Sequence, residues 1–138
     1  MICFFDTNVL VYAVDSSDPA RREQALERLG RAARDDTVVL STQVLQEFYA
    51  ITTRKLQPPL PELEAAAQVQ RLCGFQILGI SAQNVLAAIT LAQQHQLQWW
   101  DALILEAALR ADADVLISED GQAGRRFGKL RVENPFAG

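Results

Sequence analysis

The sequence predicts an α/β fold: a central parallel β-sheet of about five strands flanked by helices, within a single domain covering residues 1–138. Two observations predict it. Short β-branched or aromatic runs alternate with longer stretches of helical periodicity. Each short run is apolar throughout, the pattern of a parallel strand covered by helices on both faces. A chain of 138 residues also suits one core and is short for two.

The elements follow in order. Ile2–Phe5 is the first strand, stopped by Asp6-Thr7-Asn8. Asp15 and Asp18 lie where the first helix yields to a loop, and capping explains them. Pro19 to Arg34 reads as a helix capped by Asp18, with Pro19 in its first turn and Ala25, Leu26 and Leu29 as its apolar stripe. Its Arg21, Arg22, Arg28, Arg31 and Arg34 are interleaved with Glu23, Glu27, Asp35 and Asp36, which reads as a solvated face. Thr37–Leu40 is the second strand, and Ser41 or Thr42 caps a helix carrying Val44, Leu45, Phe48 and Ile51. Pro58, Pro59 and Pro61 mark a connection to a helix over Glu62–Leu72. Phe75–Ile80 is the third strand, and Ser81 caps a helix through about Gln94. Trp100–Ala111 is an Ala/Leu-rich helix, Asp114–Ser118 the fourth strand and Leu130–Val132 a short fifth.

Composition narrows the class. Hydrophobic residues make up 49% and charged residues 22%, the balance of a folded soluble protein. No apolar run is long enough to span a membrane, and the N-terminus lacks the basic region of a signal peptide, so a cytoplasmic protein is expected. Cys3 and Cys73 read as small buried hydrophobes, without the spacing of a zinc site. The net charge of −4 opposes the basic footprint usual in nucleic-acid binders. That objection weakens if some of the acids are metal ligands.

Four acids stand where acids are unfavourable. Open α/β sheets bind ligands at the carboxyl ends of their strands. Asp6 directly follows the first strand, Asp120 follows the fourth by two residues, and Glu47 lies early in the helix after the second. Glu47 sits beside the buried stripe of its helix, three residues from Val44 and four from Ile51. Asp101 is centred on the apolar face made by Ile104, Leu105, Ala108 and Leu109, with Glu106 and Arg110 pointing the other way. Each acid also has an ordinary reading: Asp6 as a turn residue, Glu47 as an ion-pair partner, Asp101 as a cap, Asp120 in an Asp-Gly turn. Together they fit those readings less well, because two carboxylates about 6 Å apart repel by roughly 3 kcal/mol at an effective dielectric near 20. Converging carboxylates need a cation, and all-oxygen ligation favours Mg²⁺ or Mn²⁺.

These residues fall in blocks that resemble a PIN domain, in particular the VapC-like toxin ribonucleases of type II toxin–antitoxin systems. The blocks are Phe5-Asp6-Thr7-Asn8-Val9-Leu10, Ser41 to Phe48 around Glu47, Trp100-Asp101-Ala102-Leu103-Ile104, and Leu116-Ile117-Ser118-Glu119-Asp120. Arg131 to Phe136 closes the pattern, so the resemblance runs from Ile2 to Phe136. It implies a metal-dependent endoribonuclease in which Asp6, Glu47, Asp101 and Asp120 are catalytic and metal-holding. Thr7, Asn8 and Ser118 would orient those carboxylates. It further implies phosphodiester hydrolysis leaving 5′-phosphate and 3′-hydroxyl ends, a homodimer, and inhibition by a cognate antitoxin. Arg54, Lys55, Arg125 and Arg126 are placed for RNA or antitoxin contacts. Gly121 departs from the family, which usually has a bulky apolar residue there, and leaves Glu119 and Asp120 competing for the fourth position.

His95 reads as a surface histidine at a helix C-terminus, and of Trp99 and Trp100 at least one as packing beside Asp101. Competing functions are an RNA-processing PIN nuclease outside a toxin–antitoxin pair and a non-catalytic RNA- or protein-binding module. An aspartyl-nucleophile phosphatase fits poorly, because Asn8 stands where that chemistry wants a second acid.

Overall fold

The computed structural model describes residues 1–120 and 123–137. Gly121 lies outside them. The described elements run β1 (Ile2–Phe5), α1 (Thr7–Tyr12), α2 (Pro19–Asp35), β2 (Thr37–Ser41), α3 (Thr42–Arg54), α4 (Glu62–Leu72), β3 (Gln76–Leu78), α5 (Ala82–His95), α6 (Trp99–Arg110), β4 (Val115–Ile117), β5 (Arg126–Phe127) and β6 (Leu130–Glu133). The sheet order is β3-β2-β1-β4-β6-β5. Its first five members are parallel, as expected; β5 is a two-residue antiparallel addition to the edge.

The core explains the uniformly apolar strands. Cys3, Phe4 and Phe5 are fully enclosed, and Val38–Leu40 and Val115–Ile117 flank them in register. Helix starts are set by side chains: Asp18 accepts from the Arg21 amide, Ser41 from Val44, and Ser81 from Asn84 in a reciprocal capping box. Asp15 is not a cap but holds a turn, accepting from the Ser17 amide and hydroxyl at 2.9 and 2.6 Å. Among the described residues no helix is long and apolar enough to cross a membrane.

Four expectations, for Leu26, Arg28, Cys73 and Leu109, are corrected. Leu26 is 48% exposed, and the inner face of α2 is instead Ala25, Arg28 and Ala32. Arg28 is therefore not part of a solvated face: its Nε donates to Glu133 Oε2 at 2.6 Å, and the two small residues beside it make room for the guanidinium. Cys73 is exposed at the end of α4, whereas Cys3 is buried. Beyond these expectations, the face of α6 opposite Asp101 is also covered: Ala102 to Ala108 are all buried, Glu106 among them. There α5 packs on α6, and Glu106 is balanced by Arg110 at 3.0 Å and receives the Asn84 amide. Leu109, expected inside, is 37% exposed.

Candidate metal centre

Parallel strands bring their carboxyl ends to one edge, and β1 and β4 are neighbours there. Asp6 leaves β1 still in the ladder, its amide donating to Ile117 O at 2.9 Å, and becomes the N-cap of α1. Its Oδ1 accepts from the Thr7 amide at 2.7 Å and its Oδ2 from Ser118 Oγ at 2.8 Å. The carboxylate is 7% exposed, so it is oriented on both oxygens before any ligand arrives. Ser118 also accepts from the Asp120 amide at 3.2 Å, and Asp120 Oδ2 accepts from Asn8 Nδ2 at 2.5 Å. A single serine at the end of β4 thus ties two of the expected acids together.

Asp101 comes from the first turn of α6. Gln98 is the N-cap there and makes no side-chain cap bond, so capping does not explain Asp101. It is half-buried, and among the described residues no group forms a hydrogen bond or ion pair with its carboxylate. One oxygen from each of Asp6, Asp101 and Asp120 lies within 4.8 Å of the others. Octahedral Mg²⁺ with ligands at about 2.0–2.1 Å spaces them by up to roughly 4.2 Å. The three carboxylates therefore fit a small divalent cation after side-chain movements of tenths of an ångström, or with water completing the shell.

Glu47 stands just outside this trio. It lines a cavity of about 190 Å³ together with Asp6, Asp101 and Asp120, so all four expected acids face one space. Its Oε1 accepts from Thr7 Oγ1 at 2.9 Å and from Gln43 Nε2 at 3.3 Å. Thr7, Asn8 and Ser118 each hydrogen-bond a different carboxylate: Glu47, Asp120 and Asp6 respectively. Glu119 turns away, accepting from Tyr12 Oη at 3.3 Å and pairing with Arg21 at 3.7 Å, so Asp120 joins the cluster in its place.

The electrostatics follow from this crowding. Burial pushes the Asp6 carboxyl up to about 6; its two hydrogen bonds oppose the rise, and the charges of Asp120 and Asp101 add to it. Asp101 is also raised, by burial first and then by Asp120. Carboxylates reluctant to ionise side by side are stabilised by a cation between them.

One residue escaped the sequence reading. Gln43 is 6% exposed, donates from Nε2 to both Glu47 Oε1 and Trp100 O, and leaves Oε1 without a partner against the acidic cavity. The signal was its spacing, one helical turn before Glu47. Of the basic residues, Arg125 lines a cavity with Asp6, Asp101 and Asp120, while Arg126 is exposed on β5. Arg54 and Lys55 are exposed at the end of α3 and line neither cavity. His95 ends α5 edge-on to Phe127, with ring centroids 5.0 Å apart. Trp99 packs on Ala88, Ala102 and Leu103, and Trp100 is 60% exposed.

Residues 3–129 match the family model described as PIN domain. Among solved structures, the chain is similar to VapBC2 from Rickettsia felis bound to a promoter DNA fragment, at 21% identity and a TM-score of 0.66, covering 97% of this chain and 98% of that one. It is similar to a toxin–antitoxin complex from Klebsiella pneumoniae, at 23% identity and 0.65, with the same 97% and 98% coverage. It is also similar to VapC20 of Mycobacterium tuberculosis, described as a sarcin–ricin loop cleaving toxin, at 17% identity and 0.65, covering 86% and 90%. At these identities the likeness is one of fold. No curated protein sequence gives a significant match.

Proposed function

This chain belongs to the PIN domain family, and from that premise we propose that it is a Mg²⁺- or Mn²⁺-dependent endoribonuclease, the toxin of a toxin–antitoxin pair. The observation that carries the reading is the Asp6–Asp101–Asp120 cluster, with oxygens within 4.8 Å and no cationic side chain paired to it among the described residues. Bound there, a divalent cation would supply Lewis-acid activation of water and charge compensation at a phosphodiester. Asp6, Asp101 and Asp120 would hold it. Glu47 faces the same cavity and is placed to accept a proton from, or orient, an attacking water. Ser118, Thr7, Asn8 and Gln43 keep those carboxylates in position through their hydrogen bonds.

The likeness to structures described as toxin–antitoxin complexes supports an antitoxin as partner, and a homodimer acting on cytoplasmic RNA completes the proposal. Arg54, Lys55 and Arg126 would then serve RNA or antitoxin from the rim.

The test is cleavage of RNA by the purified chain. Activity should require Mg²⁺ or Mn²⁺, stop on EDTA addition, and fall at least ~1000-fold in Asp101→Ala, about 4 kcal/mol of barrier. Circular dichroism of the variant should stay unchanged. Equal cleavage by Asp101→Ala would overturn the assignment. A non-catalytic binding module is disfavoured by the complete acidic set; it would show no Mg²⁺ affinity dependent on Asp6.

A further inference from the structure

Glu119 and Asp120 are neighbours in sequence and face opposite ways. They follow the last residue of β4, Ile117, in a bend with no strand to hold it. Asp120 reaches the acidic cluster yet is exposed, whereas the Glu119 side chain, turned outward, is only 28% exposed. The acid outside the cluster is therefore the more firmly packed of the two. A carboxylate brought beside Asp6 and Asp101 is repelled by both, so the backbone that presents Asp120 must be held before any cation arrives.

Glu119 supplies a hold. Tyr12 Oη donates to its Oε1 at 3.3 Å, and Arg21 Nε stands 3.7 Å from its Oε2. An exposed ion pair contributes little when both side chains are free to wander. Here the guanidinium is confined. It lies 5.3 Å from the Tyr12 ring centroid and 5.7 Å from that of Phe136, and the two rings meet edge-on with centroids 5.0 Å apart. Asp18, the cap of α2, also pairs with it at 3.4 Å. The Phe136 amide is tied in turn to Asn134 Oδ1 at 2.9 Å. Asn8 and Tyr12 stand one helical turn apart on α1, so that helix holds Asp120 through the first and Glu119 through the second. Tyr12, Arg21 and Phe136 line neither cavity of the acidic cluster.

We propose that Glu119 is a positioning residue for Asp120: Tyr12 and Arg21 anchor it on the outer side of the bend and so fix the backbone from which Asp120 enters the cluster. By confining Arg21, the Tyr12 and Phe136 rings then set the affinity for a divalent cation from outside its site. The proposal rests on the reading of Asp6, Asp101 and Asp120 as cation ligands and deepens it. Charge alone makes the opposite forecast. Arg21 is a cation near an acidic cluster, so its removal should tighten a bound divalent ion by simple electrostatics. Loss of an anchor should weaken it. The sign of one substitution separates the two.

The experiment titrates Mn²⁺ into the full chain and follows the free ion by electron paramagnetic resonance; each variant is also unfolded in urea with EDTA. Arg21→Leu should weaken Mn²⁺ binding about tenfold, the lower end of what residues behind a metal ligand contribute. Arg21→Lys, which can still pair with Glu119, should recover most of that loss. Tyr12→Phe removes one hydroxyl and no charge and should weaken binding about threefold, with Phe136→Leu similar. Metal-free urea midpoints should stay within about 0.3 M of the parent. In an Asp120→Asn background Arg21→Leu should cause no further loss, because the anchor acts through Asp120. Arg21→Leu and Tyr12→Phe binding Mn²⁺ as tightly as the parent, or more tightly, would overturn the proposal. So would an undiminished loss in the Asp120→Asn background, or a larger loss in Glu119→Ala than in Asp120→Ala, which would make Glu119 the ligand. If the unsubstituted chain binds Mn²⁺ and loses it in Asp101→Ala, any of these results leaves the cation reading standing. If it binds none, that reading fails and the anchor falls with it.

Discussion

Acids in two parts of this molecule are treated in opposite ways. Outside the acidic cluster at the carboxyl edge of β1 and β4, they are neutralised from within. Glu133 takes Arg28 at 2.6 Å, Glu106 takes Arg110 at 3.0 Å, and Asp114, just before β4, accepts the Ile2 amide at 2.8 Å beside Lys129. The Asp114 carboxyl is accordingly held below its ordinary range, first by that backbone bond. At the carboxyl edge, Asp6 and Asp101 are raised instead, and what they face is another carboxylate. Burial alone does not separate the two regions, since Glu106 and Asp6 are 6% and 7% exposed. What separates them is whether the protein supplies the counter-charge. In a region that withholds it, a cation from outside would supply the missing charge, as proposed above for a divalent ion.

The contrast can be broken from either side. The largest effect on folding is expected where the internal counter-charge is removed. Arg28→Met should cost about 3 kcal/mol in urea unfolding, because Glu133, 24% exposed, is left with only the longer Arg131 contact at 3.7 Å. Replacing Glu133 by Leu as well should recover most of that loss; an Arg28→Met variant as stable as the parent would erase the distinction.

The opposite outcome is expected at the candidate metal centre. The folded Asp6 carboxyl, at about 6 against 3.8 unfolded, binds its proton more tightly than the unfolded chain does. Metal-free stability should therefore be highest below pH 4 with respect to this group and decline as pH rises through 6, by roughly 3 kcal/mol in all. Asp6→Asn should flatten that decline and leave the metal-free protein more stable than the parent at pH 7. Added Mg²⁺ should stabilise the parent by about 2.7 kcal/mol at a hundred times its Kd and leave Asp6→Asn unmoved. Denaturant midpoints between pH 4 and 8, with EDTA or Mg²⁺, check all of this.

The smallest effect concerns orientation. Thr7→Val removes the hydroxyl that donates to Glu47 and should lower Mg²⁺ affinity by about 1 kcal/mol in calorimetry, with Thr7→Ser restoring it. No change would mean that Glu47 acts without Thr7.

Much of this was legible in the sequence, for reasons that also explain what was not. Strands buried on both faces announce themselves as unbroken apolar runs, so β1, β2 and β4 were found nearly to the residue. The acids were legible because they interrupt such runs or sit on an apolar helical face. Arg28 was not, because periodicity counts every charge as solvated; the small residues Ala25 and Ala32 on either side were the overlooked sign. The burial of Glu106 could not be foreseen either: one helix viewed alone does not reveal that α5 covers its second face. A two-residue strand such as β5 has no period to detect, and the contact it makes through Phe127 with Arg125, 4.7 Å from guanidinium to ring centroid, is a product of tertiary packing.

The place of β1 in the middle of the sheet has a consequence for the order of events during synthesis. Asp6 is oriented by Ser118, which lies 112 residues further along the chain. A nascent chain emerging from its N-terminal side exposes Asp6 and Glu47 early, yet it has no partner for β1 on the β4 side until synthesis has passed α6 and reached β4. Truncated or stalled products ending before β4 would lack Ser118 and Asp120 and carry no complete site. For an enzyme proposed to cut RNA, this topology postpones assembly of the site until β4 and the residues just after it have been made.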